Sequence, residues 1–483
     1  MSVQDTLVNR ASTGPHRAGL ILAFLCTAGF MTFLDVSIVN VALPTIESGL
    51  NISESYLQYV VTAYGMVLGG FLLLGGRLAD TFGRRRILRT GLVVFALASL
   101  IAGVAQDSSM LIVARGLQGL GSAFIAPSAL SLLTNTFPEG PQRARALGMW
   151  GATSGIASVV GVVLGGLLTE GPGWRWIFFI NVPIGLLAAA LAPRIVPESR
   201  AHTRRRSFDT TGAVVLTAGL VLLIYTLGQT VNDGWTSART LISLNVVAIL
   251  LLAFVFVERR TRDPLIPLRI FRLRALRTAN ITALLMLATL VTLFFFASLF
   301  MQQVLNYSPL RTGLAYVPLA IIVSVGAGIS SKLVTKVPGK PVLIAGLLFT
   351  TVGLLMLWRL PIHADYLTDV LPAFLIGGVG LGMAFVPLQV AAFAGVDKAD
   401  SGLAAGLINT SQEAGGALGV AVAATIAFSR VPALTRWAAG DPARIEQARA
   451  SVFHEAFLVG AGFAVAAVLV AFLLPVMRPV PQG

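Results

Sequence analysis

The sequence predicts an all-α integral membrane protein: two six-helix bundles with an inserted helix pair between them, fourteen transmembrane helices in all. Three observations carry this expectation. Apolar runs of about 20 residues recur along the whole 483-residue chain, the length a helix needs to cross a bilayer. Hydrophobic residues make up 56% of the chain and charged residues only 12%, about half the charge of an ordinary water-soluble domain. Lys and Arg fall on alternate loops with a strong bias to one side. Backbone groups in lipid must be satisfied within the segment, and the runs are too long for barrel strands, so the spans are helices.

The spans are expected near 18–41, 56–76, 88–106, 110–134, 144–168, 174–195, 210–230, 239–257, 278–303, 311–333, 341–360, 367–395, 401–427 and 454–476. The first apolar run has no small-residue cleavage site and reads as a retained helix. Loops and the helix ends beside them hold 26 Lys and Arg on the N-terminal side and 8 on the opposite side, and Arg115 alone lies deep inside a span. Positive loops stay in the cytoplasm, so both termini are expected there, in a cell (inner) membrane. Four of the 8 outer charges, Arg430, Arg436, Arg444 and Arg449, share one long loop. Trp174, Trp176, Trp235, Trp358 and Trp437 fall at outer helix ends or loops, where an aromatic belt meets the headgroups. The net charge of +14 is explained by basic loops facing anionic lipid, and no nucleic-acid partner is expected. The single cysteine, Cys26, lies within the first span, which excludes a disulfide framework and a cysteine metal site.

An internal repeat underlies the two bundles. RLADTFGRRRILRTG at 77–91 aligns with KLVTKVPGKPVLIAG at 332–346, GLGSAFIAP at 119–127 with GLGMAFVP at 380–387, and 148–162 with 406–420. Gly91 then stands over Gly346, Gly119 over Gly380 and Gly161 over Gly419. Offsets that all lie between 255 and 261 residues are the mark of parallel repeats. Six spans precede the pair at 210–230 and 239–257 and six follow it, so the pair reads as an insertion with basic linkers at 194–206 and 259–277. The expected domains are 1–200, 201–275 and 276–483.

Between the second and third spans, GRLADTFGRRRIL at 76–88 crowds charge between two apolar runs. Gly76, Asp80, Gly83, Arg84 and Arg85 follow the spacing G-x-x-x-D-x-x-G-R-R. Glycines let helix ends and a tight loop approach closely, and an aspartate at a helix end can pair with arginine or a neighbouring helix terminus. This spacing resembles the signature loop of the major facilitator superfamily of transporters, which implies that fold and an inner gate. Thr81 stands where that family often has a basic residue. Lys332, Lys336 and Lys340 occupy the matching loop of the second half, with Thr335 in the place of Asp80.

Three ionisable residues lie deep inside expected spans: Asp35, Arg115 and Glu413. Each costs roughly 2.5–3.5 kcal/mol or more at mid-bilayer, which makes each a functional candidate. Counting helical rise from the outer ends places Asp35 and Arg115 at similar depth, close enough to communicate directly or through water. One reading is a buried ion pair that only locks two helices; the other is that Asp35 exchanges a proton under the influence of Arg115. Glu413, near the middle of its span in NTSQEAGGALG, reads as a second proton site, as a partner for cationic substrates, or as a neutral acid hydrogen-bonded to Gln412 or Asn409. LDVSIVNVALP at 34–44 is similar to the first-helix motif of the fourteen-span drug:proton antiporters, which implies a coupling role for Asp35. RGLQGLGSA at 115–123 is similar to the helix 4 motif of the same superfamily, whose arginine is linked to proton transfer; Gln118, Gly119 and Gly121 also match. The likeness extends through WRWIFFINVPIG at 174–185 and the inserted pair.

In the fifth span, Gly151, Gly155, Gly161, Gly165 and Gly166 set small residues at helical spacing, which allows close packing or a mechanical role. GVVLGG at 161–166 resembles the antiporter motif, with Val162 in the usual proline position. Phe33, Tyr64, Gln118, Asn181 and Phe295 are candidates for the lining of an apolar cavity. There is no phosphate-binding loop, nucleophile–base set or metal spacing in the sequence, so no cofactor, metal or enzymatic activity is expected, and transport would run on a proton gradient. The resemblance implies a monomeric proton-coupled exporter of small hydrophobic or cationic drugs, seated among membrane lipids. A carrier of one endogenous solute and a non-transporting sensor stand as the alternative readings.

Overall fold

The computed structural model describes residues 15–50, 54–138, 140–199, 209–261, 264–361, 364–397, 400–429 and 442–475. The first half holds α1 (Pro15–Leu50), α2 (Glu54–Phe82), α3 (Arg84–Gly103), α4 (Ser108–Thr136), α5 (Pro141–Glu170), α6 (Trp176–Phe179) and α7 (Asn181–Ile195). The inserted pair is α8 (Thr210–Asp233) and α9 (Ala238–Arg260). The second half holds α10 (Arg274–Gln303), α11 (Pro309–Ala315), α12 (Val317–Leu333), α13 (Gly339–Trp358), α14 (Leu371–Phe393), α15 (Ser401–Ser429) and α16 (Pro442–Ala471). A 3-10 turn at Leu268–Arg272 leads into α10, and a π turn at Tyr366–Val370 leads into α14.

Among the described residues, 13 segments are long and apolar enough to cross a bilayer. The expected span outside that set is α15, which is 29 residues long but whose apolar run is broken by the polar stretch 409–413. Prolines explain two interruptions. Pro183 lacks the N–H that would bond the Phe179 carbonyl, and the sixth span breaks into α6 and α7 there; Pro318 does the same between α11 and α12.

Three expected boundaries are corrected. The loop expected across 76–88 shrinks to Gly83, since α2 runs to Phe82 and α3 begins at Arg84. Gly83 has φ +112°, a backbone state that side chains with a Cβ avoid. The first helix continues past 41 to Leu50. The last begins at Pro442 rather than 454, because ARIEQARA at 443–450 is rich in strong helix formers. Arg430, Arg436 and Trp437 of the expected outer loop, most of the basic linker at 194–206, and both chain ends lie outside the described residues.

Each half packs in the same pattern. In the first, α1 lies on α5, α2 on α4, and α3 on α4 and α7; in the second, α10 lies on α15, α12 on α14, and α13 on α14 and α16. The halves meet along two seams, α2 against α15 and α5 against α12. The inserted α8 packs on α9, α2 and α15, so it covers the first seam.

Close backbone approach marks the repeat. A Cβ on Gly121 would lie 2.7 Å from the Phe95 nitrogen and 2.9 Å from the Gly91 carbonyl oxygen; one on Gly346 would lie 2.6 Å from the Ala384 nitrogen and 2.7 Å from the Gly380 oxygen. The true pairs are therefore Gly91–Gly121 and Gly346–Gly380, which shifts the aligned register by two residues; Gly119 instead packs on Tyr64 and Leu68 of α2. Shared GLG triplets had favoured the other alignment. Gly161 and Gly419 do correspond, each pressed onto the first long helix of its half, at Leu34 and Ala288. Gly121→Val is expected to lower the thermal unfolding midpoint of the purified protein, since overpacking against backbone costs about 1–3 kcal/mol or more. Gly462→Val, at a position with open space around it, should leave the midpoint unchanged.

Candidate functional site

Isolated polar residues in apolar helices converge inside the first half. Asp35 on α1 is 0% exposed, and Ser99, Arg115, Gln118 and Asn181 around it are 0–1% exposed. Arg115 donates through Nη1 to Asp35 Oδ2 at 2.5 Å and to Gln118 Oε1 at 2.9 Å. Gln118 Nε2 donates to Asp35 Oδ1 at 3.0 Å and to Ser99 Oγ at 2.8 Å. Asn181 Nδ2, at the start of α7, donates to Asp35 Oδ1 at 3.0 Å, and Arg115 Nε donates to the Val60 carbonyl at 2.9 Å. The guanidinium lies 4.6 Å over the Tyr64 ring, whose hydroxyl donates to Ser122 Oγ at 2.8 Å.

This geometry follows from spacing. Arg115 and Gln118 are three residues apart on α4 and so share a face, while Pro183 starts α7 where Asn181 can reach Asp35. The result is a carboxylate met by donors from α4 and α7. Buried charge is tolerated only when paired and hydrogen-bonded in this way. A proton placed on Asp35 would meet donors rather than acceptors, so protonation and rearrangement of the network must go together.

Gln118, Asn181 and Tyr64 are thus engaged in or beside this network, and all three are buried. Phe33 meets the Trp150 ring edge-on at 6.4 Å, and Phe295 is 41% exposed beside Phe296. Sequence reasoning missed Asn181 as a partner of Asp35 and Ser99 as a partner of Gln118; each is a lone polar residue in an apolar stretch, FFINVPIG or FALASLIAG, and that was the available signal.

Glu413 lies apart, on α15 where it crosses α2 and α8. A Cβ on Gly69 of α2 would lie 3.5 Å from the Glu413 Cβ and would collide with Ile224 of α8. Among the described residues its carboxylate has no hydrogen bond or ion pair, with Gln412 and Asn409 included. Tyr64 lies within electrostatic reach of both Asp35 and Glu413.

The charged end of α2 forms a second site. Asp80, 1% exposed, accepts from Arg84 Nε at 3.0 Å and Nη2 at 2.7 Å, and from the backbone nitrogens of Gly402 at 3.1 Å and Leu403 at 3.0 Å. The carboxylate therefore caps the N-terminus of α15 across the joint between halves, where the helix dipole favours negative charge. Gly76 makes room: a Cβ there would strike the Gly402 carbonyl. Asn135 and Ser131 of α4 add bonds to Ser401 at 2.8 and 2.9 Å. Arg84 Nη1 also donates to Ser199 Oγ at 2.8 Å, and the Arg85 nitrogen donates to Glu198 at 3.1 Å. Among the described residues, the second-half loop carries no such charge link. Thr335 bonds its own turn, Lys340 donates to the Phe472 carbonyl at 2.6 Å, and Lys332 and Lys336 are exposed.

The glycines of α5 divide their work. Gly161 and Gly165 let α1 approach, their Cβ positions lying 3.0 Å from the Leu34 carbonyl and 3.1 Å from the Ile38 carbonyl. Gly151 faces the Phe385 ring and Gly155 faces Ala320, so that end of α5 lies on the other half; Gly166 is buried. With Val162 in place of proline, α5 runs unbroken.

A family model of the Major Facilitator Superfamily matches residues 25–420. The chain is 39% identical over 482 residues to a cephamycin export protein of Amycolatopsis lactamdurans, covering 98% of this chain and 96% of that one. It is 38% identical over 408 residues to a puromycin resistance protein of Streptomyces alboniger, covering 84% and 81%. Among solved structures, a human organic anion transporter matches with TM-score 0.65 and 14% identity, covering 92% of this chain and 99% of that one. A proton:xylose symporter matches with TM-score 0.65 and 15% identity, covering 96% and 98%.

Proposed function

Because the chain belongs to the Major Facilitator Superfamily, we propose that it exports hydrophobic or cationic drugs or antibiotics across the cell membrane in exchange for inward-moving protons. The observation that carries the coupling is the buried Asp35–Arg115 pair, held by Gln118 and Asn181. Proton uptake at Asp35 displaces its donors, and their rearrangement couples the proton to movement of the halves. One charge crossing 100 mV supplies about 2.3 kcal/mol, so a gradient suffices without a cofactor. The Asp80 joint serves as the inner gate on this reading, and Glu413 is a second proton site or a contact for cationic substrates. On this reading α15 completes fourteen spans, both termini are cytoplasmic, residues 1–200 and 276–483 form the two bundles, and the transporter works as a monomer among membrane lipids.

A second reading, export of a single compound class, is favoured by the names of these two relatives, each of which specifies one antibiotic. Proton flux in liposomes holding the purified protein, read against a panel of lipophilic cations and neutral drugs, separates the two. Broad response supports multidrug export, one responding class supports narrow export, and no response overturns efflux. Glu413→Gln is expected to abolish export of cations and spare neutral compounds if Glu413 contacts substrate; equal loss for all would mark it as a proton site.

A further inference from the structure

The segment that returns from the inserted pair touches both halves at the gate. Arg77 of α2, three residues before Asp80, donates through Nη2 to the Pro264 carbonyl at 3.1 Å. Arg269, in the 3-10 turn at Leu268–Arg272, pairs with Asp400 at 3.5 Å. Asp400 stands just ahead of the α15 N-terminus that Asp80 caps. Between these two attachments, Leu265, Ile266 and Ile270 are 2%, 3% and 5% exposed and belong to the same core as Leu403 and Phe393 of the second half. The segment is therefore packed in, with polar ties at either end.

Glu258, at the foot of α9, shapes that segment. It is 3% exposed and accepts from the Leu265 nitrogen at 3.1 Å and the Ile266 nitrogen at 3.2 Å. Arg77 and Asp209 are its charged neighbours, and Asp209 caps the start of α8 through Gly212 at 2.8 Å. The entry and exit of the insertion thus meet beside Arg77. Farther along the same seam, α8 lays Val221 and Ile224 over Gly70 and Gly69 of α2, and the indole of Trp235 donates to Thr425 of α15 at 2.8 Å.

We infer that the insertion is a working part of the gate: α8, α9 and the return segment 264–273 clamp α2 to α15, with Arg77, Glu258 and Arg269 as positioning residues. This rests on reading the Asp80 joint as a gate that opens. Opening α2 from α15 then requires release of the Arg77–Pro264 and Arg269–Asp400 ties as well as the Asp80 cap.

The test uses the full chain in nanodiscs, with Cys26→Ser and spin labels at Thr90→Cys and Asp397→Cys, exposed positions on opposite halves. Electron–electron distances should show one dominant short population. Arg269→Ala is expected to raise the long-distance population about two- to fivefold, and Arg77→Ala about tenfold or more. Exchanging the charges, Arg269→Asp with Asp400→Arg, should restore the short population, which a loss of general stability would not allow. Unchanged distances in folded Arg269→Ala protein overturn the clamp, and that variant decides the matter should Arg77→Ala fail to fold. If distances shift while no compound in the panel is exported, the clamp stands and the efflux reading falls; if efflux proceeds and distances do not move, the clamp alone falls.

Discussion

Replacing Asp35 by Asn is expected to abolish substrate-driven proton movement in liposomes while the protein still inserts. An amide cannot take up and release the proton, and its NH2 group faces donors from Gln118, Asn181 or Arg115 whichever way it turns. The substitution also leaves Arg115 buried without its counter-charge, which destabilises by roughly 3–5 kcal/mol. A clear fall in the thermal unfolding midpoint should accompany the loss of coupling. The double variant Asp35→Asn with Arg115→Gln separates the two effects. It removes both charges, so the midpoint should recover most of the way while proton movement stays at background. Proton movement at the unmodified level in Asp35→Asn would reduce the pair to a structural lock.

The second large effect is expected at Asp80. Asp80→Asn removes the charge that caps α15 and turns one acceptor into a donor facing Gly402 or Leu403. Lost charge-assisted bonds of this kind are worth about 2–3 kcal/mol, which shifts a closed–open equilibrium about 30- to 150-fold. Ser131→Cys in a Cys26→Ser background reports this, because Ser131 is 0% exposed under the joint. Its maleimide labelling should accelerate by about that factor in Asp80→Asn. Labelling that stays as slow as with Asp80 intact would mean that the joint does not depend on the cap.

Much of this was legible in the sequence because lipid imposes simple rules. Apolar runs located the helices, and Asp35 and Arg115 stood out as costly charges on different spans. The rest of their network was harder to see. Ser99 and Asn181 are uncharged, and nothing in their spacing reveals that α3 and α7 bring them to α1 and α4. The backbone nitrogens of Gly402 and Leu403 have no sequence signature at all, since any helix start presents them. Helix ends were misplaced at 76–88 and 442–453 for one reason: charged residues such as Arg84 and Glu446 break an apolar run without breaking a helix. The repeat register slipped because GLG recurs in both halves, whereas packing distinguishes the glycine facing α3 from the one facing α2.

The insertion makes the molecule lopsided about its own pseudo-two-fold axis. One seam is curtained by α8; along the other, α5 and α12 leave Met149, Ile156, Leu167, Ile321, Val325 and Ile329 exposed. Acyl chains have no fixed shape and are as apolar as leucine, so they yield to a shifting surface, whereas α8 must slide as a solid against α2 and α15. The two halves therefore rock against a fluid on one flank and a splint on the other, and bilayer thickness and chain order bear on their motion from one direction only.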